Sequence, residues 1–271
     1  MSENHQYGAP QNGAPQGGPA GYAAPTGAPQ PGAPGTPPPD WDIGADLSAV
    51  AKWTWAAFSR NLAAFLVPGI VYGVIVIGIA ITMAVAMFAG MISTMSTTTS
   101  DPESIPSPVG MLLGLGAYVL LIPVVLIVGI LWSSGANRAA AIIRDGGRPT
   151  IGQGFIGSGR VVATSLVCQV TIVVGTMLCY APGIIASVVL AFAIPAAAAG
   201  ASVGEAMRRS YELARDNLAL TIVAMLLLGV AVGVLGMLVV TYVLLPGLSA
   251  LLMTAVYERA SRRELRDPVR G

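Results

Sequence analysis

Long apolar runs alternate with short polar segments along most of this chain. The runs cover residues 62–92, 109–132, 161–180, 183–200, 218–238 and 241–257. A helix needs about 20 apolar residues to cross the hydrocarbon layer of a membrane. The pattern therefore predicts an all-α integral membrane protein with about six transmembrane helices. No charge separates the last two runs, so five spans, or a re-entrant last pair, stay open as alternatives.

Two of the apolar runs follow directly on segments with helical spacing and a polar face, residues 46–61 and 202–217. Asp46 is a suitable N-cap for the first of them. Indole rings and cations are favoured in the headgroup layer, so both segments are predicted to be interfacial amphipathic helices. Their candidate membrane-interface anchors, with the tryptophan that precedes the first segment, are Trp41, Lys52, Trp53, Trp55, Arg60, Arg208, Arg209 and Tyr211.

The two amphipathic segments also match each other when residues 46–64 are aligned with residues 202–220. Lys52 then aligns with Arg208, Trp55 with Tyr211 and Asn61 with Asn217. An internal repeat would explain the match. Selection by the headgroup layer would also give unrelated helices a similar composition, so both explanations stay open.

The chain divides into three parts by composition. Residues 1–40 hold half of the 20 prolines and four copies of "GAP", so they are predicted to be a disordered tail. Residues 41–264 form the predicted helical membrane domain, and residues 265–271 form a basic C-terminal end. A solvated spacer is the simpler role for the tail, and its "PPP" at residues 37–39 makes it a candidate contact for a protein partner.

Composition and charge place this domain in lipid. The chain is 54% hydrophobic and 10% charged, against about 25% charge in ordinary soluble domains. All 14 Lys and Arg residues fall within residues 52–60, 138–160, 208–215 and 259–270. Six spans would put these segments on one side, which the positive-inside rule identifies as the cytoplasm. Both termini are therefore predicted to be cytoplasmic, with Arg259, Arg262 and Arg263 as further anchors to anionic headgroups.

The predicted spans contain no Asp, Glu, Lys, Arg or His, so an ion-coupled pump is disfavoured. Gln169 is the most polar residue at depth; it is predicted to form an interhelical hydrogen bond, with substrate binding as the alternative. Cys168 and Cys179 have neither a CxxC spacing nor a nearby histidine. The Gly-rich stretch at residues 152–159 lacks the Lys and Ser/Thr of a phosphate-binding loop. We expect no catalytic residue, metal, cofactor or nucleic-acid partner.

Two stretches in the second half of the chain carry a resemblance to a known group of bacterial membrane proteins. "EAMRRSYELARDNLALTIVAMLLLGV" and "LLPGLSALLMTAVYERASRRE" are similar to the membrane domain of glycerophosphoryl diester phosphodiesterases and to the YciC-like group. The matching residues are Ala206, Ser210, Leu213, Asn217, Pro246 and Tyr257. The resemblance covers roughly residues 46–264 and implies a membrane module without the phosphodiesterase catalytic barrel. The Pro/Gly/Ala-rich leader resembles those of actinobacterial proteins.

These observations favour a non-catalytic multi-pass protein of the bacterial cytoplasmic membrane. It would act as a scaffold or accessory subunit for an envelope, lipid or transport system, with anionic lipid headgroups as its membrane partners. A small transporter or channel for a lipid or an amphipathic solute is the alternative. An enzyme acting at the headgroup layer through the acidic residues of 205–216 is a third, weaker hypothesis.

Overall fold

The computed structural model describes residues 42–100, 108–236 and 242–268. The predicted tail, Trp41 and the junction between the fifth and sixth predicted spans lie outside these residues. Within them the chain forms helices and no strand, which confirms the all-α prediction. The helices are α1 Ile43–Arg60, α2 Leu62–Ser100, α3 Pro108–Arg144, α4 Ile151–Phe155, α5 Gly159–Leu178, α6 Tyr180–Val189, α7 Ala193–Ala198, α8 Val203–Asp216, α9 Leu218–Gly236 and α10 Leu245–Ala260.

Four helical stretches in the described residues are long and apolar enough to cross a membrane: Leu62–Ile92, Val119–Arg144, Ile151–Leu178 and Tyr180–Ala198. A fifth is counted if α8 and α9, which meet at an angle of 101°, are taken as one broken span. The predicted number of six is therefore not confirmed. The missing span is α10, whose 16 residues extend only about 24 Å, less than the hydrocarbon thickness of about 30 Å.

Several predicted boundaries agree with the structure and others do not. The first predicted span matches the apolar part of α2. The polar segment between the first two apolar runs is helical at its start, because α2 continues to Ser100. The second predicted span lies within α3, whose helix continues beyond Trp132 and ends at Arg144, just before Gly146. The break between the third and fourth apolar runs is short, since Cys179 alone separates α5 from α6.

The fourth predicted span, residues 183–200, is broken in the structure. α6 ends at Val189 and α7 begins at Ala193. The Ser210 hydroxyl of α8 accepts a hydrogen bond from the Phe192 N–H at 3.0 Å and donates one to the Val189 carbonyl at 2.7 Å. Because backbone groups released by a helix break need new partners in an apolar environment, Ser210 explains how this break is tolerated.

Helix α10 forms the centre of the protein. Pro246 lies in its first turn, where the missing N–H removes no helical hydrogen bond. Leu251, Val256 and Tyr257 have no exposed surface. Helices α1, α2, α3, α7 and α9 all contact α10. The last helix is therefore the core element around which the others pack.

Helix α4 is a short wedge between α2 and α3. A Cβ atom added to Gly154 would overlap the Ala64 carbonyl oxygen of α2, and one added to Gly135 of α3 would overlap the Gly154 carbonyl. The Tyr72 hydroxyl donates a hydrogen bond to the Phe155 carbonyl at 2.9 Å. The Gly-rich stretch, which resembles a loop in the sequence, thus fixes α2 against α3 at one end of the helical bundle.

Candidate functional site

The four cationic segments of the sequence meet at one end of the protein, which we call the charged end (residues 42–60, 138–160, 200–217 and 257–268). The Trp53 indole N–H donates a hydrogen bond to the Arg266 carbonyl at 2.7 Å. Arg144 Nη1 lies 3.7 Å from Glu258 Oε1. The Arg209 Cζ atom lies 5.3 Å from the centroid of the Tyr257 ring. These contacts join all four segments into a single surface.

Helix α1 presents a cation and an aromatic ring on its outer face. Lys52 and Trp55 are exposed, and Trp55 keeps 66% of its surface accessible. The opposite face, with Val50, Trp53 and Ala57, is buried against the protein. Trp53 is thus a core residue, unlike Trp55, because its indole N–H has a protein partner and its ring has only 6% of its surface exposed.

Helix α8 has the same arrangement. Arg208 and Tyr211 are exposed, with 50% of the surface of Tyr211 accessible, while Ala206, Ser210 and Ala214 form its buried face. Arg208 pairs with Glu212 at 3.8 Å, one helical turn away. The residues that the sequence alignment equates, Lys52 with Arg208 and Trp55 with Tyr211, therefore occupy equivalent positions on the two helices.

The corners that follow these helices are also equivalent. Asn61 ends α1 with backbone angles φ −117° and ψ 28°, and Asn217 ends α8 with φ −125° and ψ 43°. Each side-chain amide donates a hydrogen bond to the carbonyl four residues earlier, Ala57 in one case and Leu213 in the other. Asn217 also contacts the Ala260 carbonyl at 3.3 Å, which ties its corner to the end of α10.

A buried ion pair joins the start of α1 to the end of α10. Arg259 has no exposed surface, and its Nε donates a hydrogen bond to Asp46 Oδ1 at 2.7 Å. A second bond runs from Nη2 to the same oxygen. The prediction that Asp46 caps α1 is wrong, because the N-cap residue is Asp42 and the Asp46 carboxylate is used by Arg259. The burial of Arg259 also removes it from the exposed surface where a headgroup anchor would lie.

Glu258, adjacent to that pair, is surrounded by arginines. Its side chain is 7% exposed and lies 3.7 Å from Arg144 and 3.7 Å from Arg263. Burial raises the pKa of the Glu258 carboxyl, while the nearby arginines, Arg144 first, oppose that change. Glu258, Arg144 and Tyr257 were not among the predicted site residues. The sequence feature that could have indicated them is the direct transition, without an intervening Gly or Pro, from an apolar run to the charged sequence "YERASRRE".

The C-terminal segment after α10 lies against α1 and α3. Arg262 has a positive φ of 57°, and the Arg263 N–H bonds to the Glu258 carbonyl at 2.8 Å, which closes α10 in the manner usual for glycine. The Arg60 guanidinium lies 3.8 Å from the Asp267 carboxylate. Arg262 and Arg263 are exposed at the charged end, as their predicted role as anchors requires.

Threonine hydroxyls within the predicted spans form hydrogen bonds with backbone carbonyls of their own helices. The hydroxyls of Thr164, Thr171 and Thr176 each donate to the carbonyl four residues earlier in α5. Gln169 is half-buried, and its side chain forms no hydrogen bond with another described residue. The predicted interhelical hydrogen bond of Gln169 is therefore not found in the described part of the chain. Cys168 is buried and Cys179 is exposed, and both are free thiols.

No protein-family model matches this chain, and no curated protein or solved structure matches it either. The resemblance to the phosphodiesterase membrane domain and the YciC-like group therefore stays a prediction from the sequence. Among the described residues, no group of three or more His, Cys, Asp or Glu side chains could hold a metal ion.

Proposed function

We propose that this protein is a non-catalytic, multi-pass scaffold or accessory subunit of the bacterial cytoplasmic membrane. Its charged end would face the cytoplasm, together with both termini. The protein would there contact anionic headgroups and a protein of an envelope, lipid or transport system. The observation that carries this proposal is the pair of equivalent exposed faces, Lys52 with Trp55 and Arg208 with Tyr211.

An exposed aromatic ring contributes hydrophobic free energy only when another group covers it, so contact with a headgroup layer or a protein would be favourable at both faces. Both helices are fixed to the core by their opposite faces, so their outer faces keep a defined spacing and orientation. A rigid pair of faces with the same chemistry suits a binding platform. In the headgroup layer the cations can pair with phosphates and the aromatic rings are favoured. A protein partner can bind to the same side chains.

The alternative, a small transporter or channel, has weaker support. A transport pathway needs polar groups that face a cavity. In α5 the threonine hydroxyls donate to their own helix, as do those of Ser187 in α6 and Thr221 in α9. Flux of a lipid analogue into proteoliposomes that is abolished by Gln169→Leu would favour the transporter over the scaffold.

The test is site-specific photocrosslinking in native membranes. A photoreactive phenylalanine analogue would replace Trp55 or Tyr211, with partner identification by mass spectrometry. Tyr180 is the matched control, because it is an aromatic residue with 76% of its surface exposed near the turn between α5 and α6. We expect the same protein partner at positions 55 and 211 and none at position 180. Equal capture at all three positions, or none at 55 and 211, would contradict the scaffold.

A further inference from the structure

Two arginines lie beside Glu258 at distances too long for a hydrogen bond to its carboxylate. Both Nη1–Oε separations, from Arg144 and from Arg263, are 3.7 Å. A charge-assisted hydrogen bond between a guanidinium and an oxyanion is about 2.7–2.9 Å long. Arg144 donates two hydrogen bonds to Asp145, whereas the Arg263 side chain donates none within the described residues. Glu258 Oε1 accepts none there either.

A third arginine and a tyrosine complete this cluster. Arg209 of α8 stacks over the ring of Tyr257, and its side chain donates no hydrogen bond in the part of the chain that the structure describes. The Tyr257 hydroxyl is fully buried and also lacks a hydrogen-bond partner there. Tyr257 directly precedes Glu258 in α10, so the contact of Arg209 with Tyr257 and the contacts of Arg144 and Arg263 with Glu258 lie at the same end of this helix. A buried hydroxyl without a partner is unfavourable, which makes this one a candidate donor to a ligand.

We propose that Arg144, Arg209, Arg263 and the Tyr257 hydroxyl bind a phosphate group, carried either by a phospholipid headgroup or by a free phosphate ester. We call these four residues the phosphate site. The three guanidinium groups outnumber the two carboxylates with which Arg144 and Arg263 pair, Glu258 and Asp145. A phosphate presents several oxygens at tetrahedral angles and accepts hydrogen bonds from donors on different elements. Guanidinium groups match such oxyanions well.

Glu258 determines how the phosphate site is regulated. As an anion it competes with phosphate for the same arginines. Burial favours its protonated form, and a protonated carboxyl donates a hydrogen bond to a phosphate oxygen instead of repelling it. The phosphate site does not depend on the scaffold function. It is formed by α3, α8, α10 and the segment after α10, and it excludes the outer faces of α1 and α8.

Two probes test the phosphate site on the purified full chain in a nonionic detergent. Phosphatidylglycerol retention would be measured by native mass spectrometry, with phosphatidylcholine as the zwitterionic control. Inorganic phosphate binding would be measured by equilibrium dialysis. We expect Arg209→Gln and Arg263→Gln each to weaken binding about tenfold or more, because each removes a charge-assisted donor. Arg215→Gln is the matched control, since Arg215 is 66% exposed, pairs with Asp216 and lies outside the cluster.

The substitution Tyr257→Phe distinguishes phosphate binding at a specific site from nonspecific electrostatic attraction to the charged end. The substitution removes a hydroxyl that has no hydrogen-bond partner among the described residues, so the fold should be kept while binding weakens. If Arg209→Gln unfolds the protein, Arg263→Gln at a 43% exposed position carries the test. If inorganic phosphate competes with the lipid, the ligand of the phosphate site is a free phosphate. If the protein retains the lipid but does not bind inorganic phosphate, the ligand is a phospholipid headgroup. Equal loss in Arg215→Gln and Arg209→Gln, unchanged binding in Tyr257→Phe and Arg263→Gln, or no binding of either probe would overturn the proposal.

Discussion

Individual residues at the charged end show how this protein accommodates buried charge. The Asp46–Arg259 pair joins two chain segments that are 213 positions apart, and neither side chain has more than 6% of its surface exposed. Burying two charges is costly, so the pair itself adds little net stability. Removal of either partner is strongly destabilising, because the other charge then stays buried without compensation. The pair therefore specifies where α1 attaches to α10.

We expect Asp46→Asn to lower the free energy of unfolding by about 3–5 kcal/mol, because it removes the negative charge that the buried Arg259 guanidinium contacts. The double variant Asp46→Leu/Arg259→Met should recover most of this loss. Thermal unfolding can be followed with a thiol-reactive dye in a Cys179→Ser background, where only the buried Cys168 reports. Asp216→Asn, which changes an exposed carboxylate, is the control. A loss of less than about 1 kcal/mol in Asp46→Asn would show that the pair does not fix α1.

Glu258 should make the stability of the protein depend on pH. Its pKa is raised by burial above the ordinary value of 4.5, so the folded state holds its proton to a higher pH than the unfolded state. The folded state then binds more protons in the interval between these two pKa values. Stability is consequently expected to fall as pH rises through that interval, with no penalty below it.

We predict that Glu258→Gln removes this decrease, so that the difference in unfolding midpoint between variant and wild type grows from pH 4 towards pH 7. The intrinsic fluorescence of buried Trp53 and Trp132 provides the measurement. Glu205→Gln, at an exposed position on α8, controls for the loss of one carboxylate and should leave the slope of the wild type unchanged. A parallel pH profile for Glu258→Gln and wild type would contradict the prediction.

At the scale of the helices, α4 decides how α2 and α3 meet. Gly154→Ala should destabilise the protein by about 2 kcal/mol, because the new Cβ would overlap a backbone oxygen of α2 and lie 3.0 Å from the Pro68 ring. Gly152→Ala, two residues earlier in the same helix, is the control, since nothing lies within 4 Å of its added Cβ. Unfolding midpoints of the two variants should therefore differ by several degrees, about 2–4 °C per kcal/mol. Equal midpoints would show that α2 and α4 can move apart to accommodate the added Cβ atom at little cost in stability.

The sequence predicts those helices whose signal is local. The apolar run of α2, the polar face of α8 and the stop of α3 before Gly146 all follow from composition and spacing. α4 was not predicted, because five residues are too few for a helical period, its capping box of Thr150 and Gln153 is the local signal it has, and its place depends on contacts with Ala64 and Gly135. The central position of α10 was missed for a similar reason. An apolar run is favourable in lipid and in a protein core alike, so hydropathy does not separate the two environments.

The candidate site was predictable to a similar degree. Lys52, Trp55, Arg208 and Tyr211 were identified from their residue types, and the structure exposes all four. Trp53 and Arg259 have the same residue types but lie in the core. Their burial depends on contacts with Arg266 and Asp46, which are 213 positions away along the chain in both cases. Local composition contains no information on such contacts.

At the scale of the whole molecule, the two equivalent corners at Asn61 and Asn217 support the interpretation of an internal repeat. Matching amide-to-carbonyl hydrogen bonds follow two helices with matching exposed pairs. Headgroup selection can explain shared residue types, but it does not explain shared backbone angles at the corner. α2 and α9 each begin directly after such a corner. The two copies of the repeat, α1 with α2 and α8 with α9, therefore place the starts of α2 and α9 at the charged end.

The sidedness of the charged end can be tested with the natural cysteines. α5 begins near Arg160, whose guanidinium contacts the Gly200 carbonyl, and its 20 residues carry the chain about 30 Å away to Cys179. Cys179 is exposed, whereas Cys168 is buried. We expect a membrane-impermeant maleimide to label Cys179 in intact cells. In a Cys179→Ser background, Ser48→Cys, exposed on α1, should react only after the membrane is opened, because the cationic segments should be cytoplasmic. Labelling of both positions from outside would show that the charged end is not separated from Cys179 by the membrane, and protection of Cys179 with labelling of Ser48→Cys would reverse the topology.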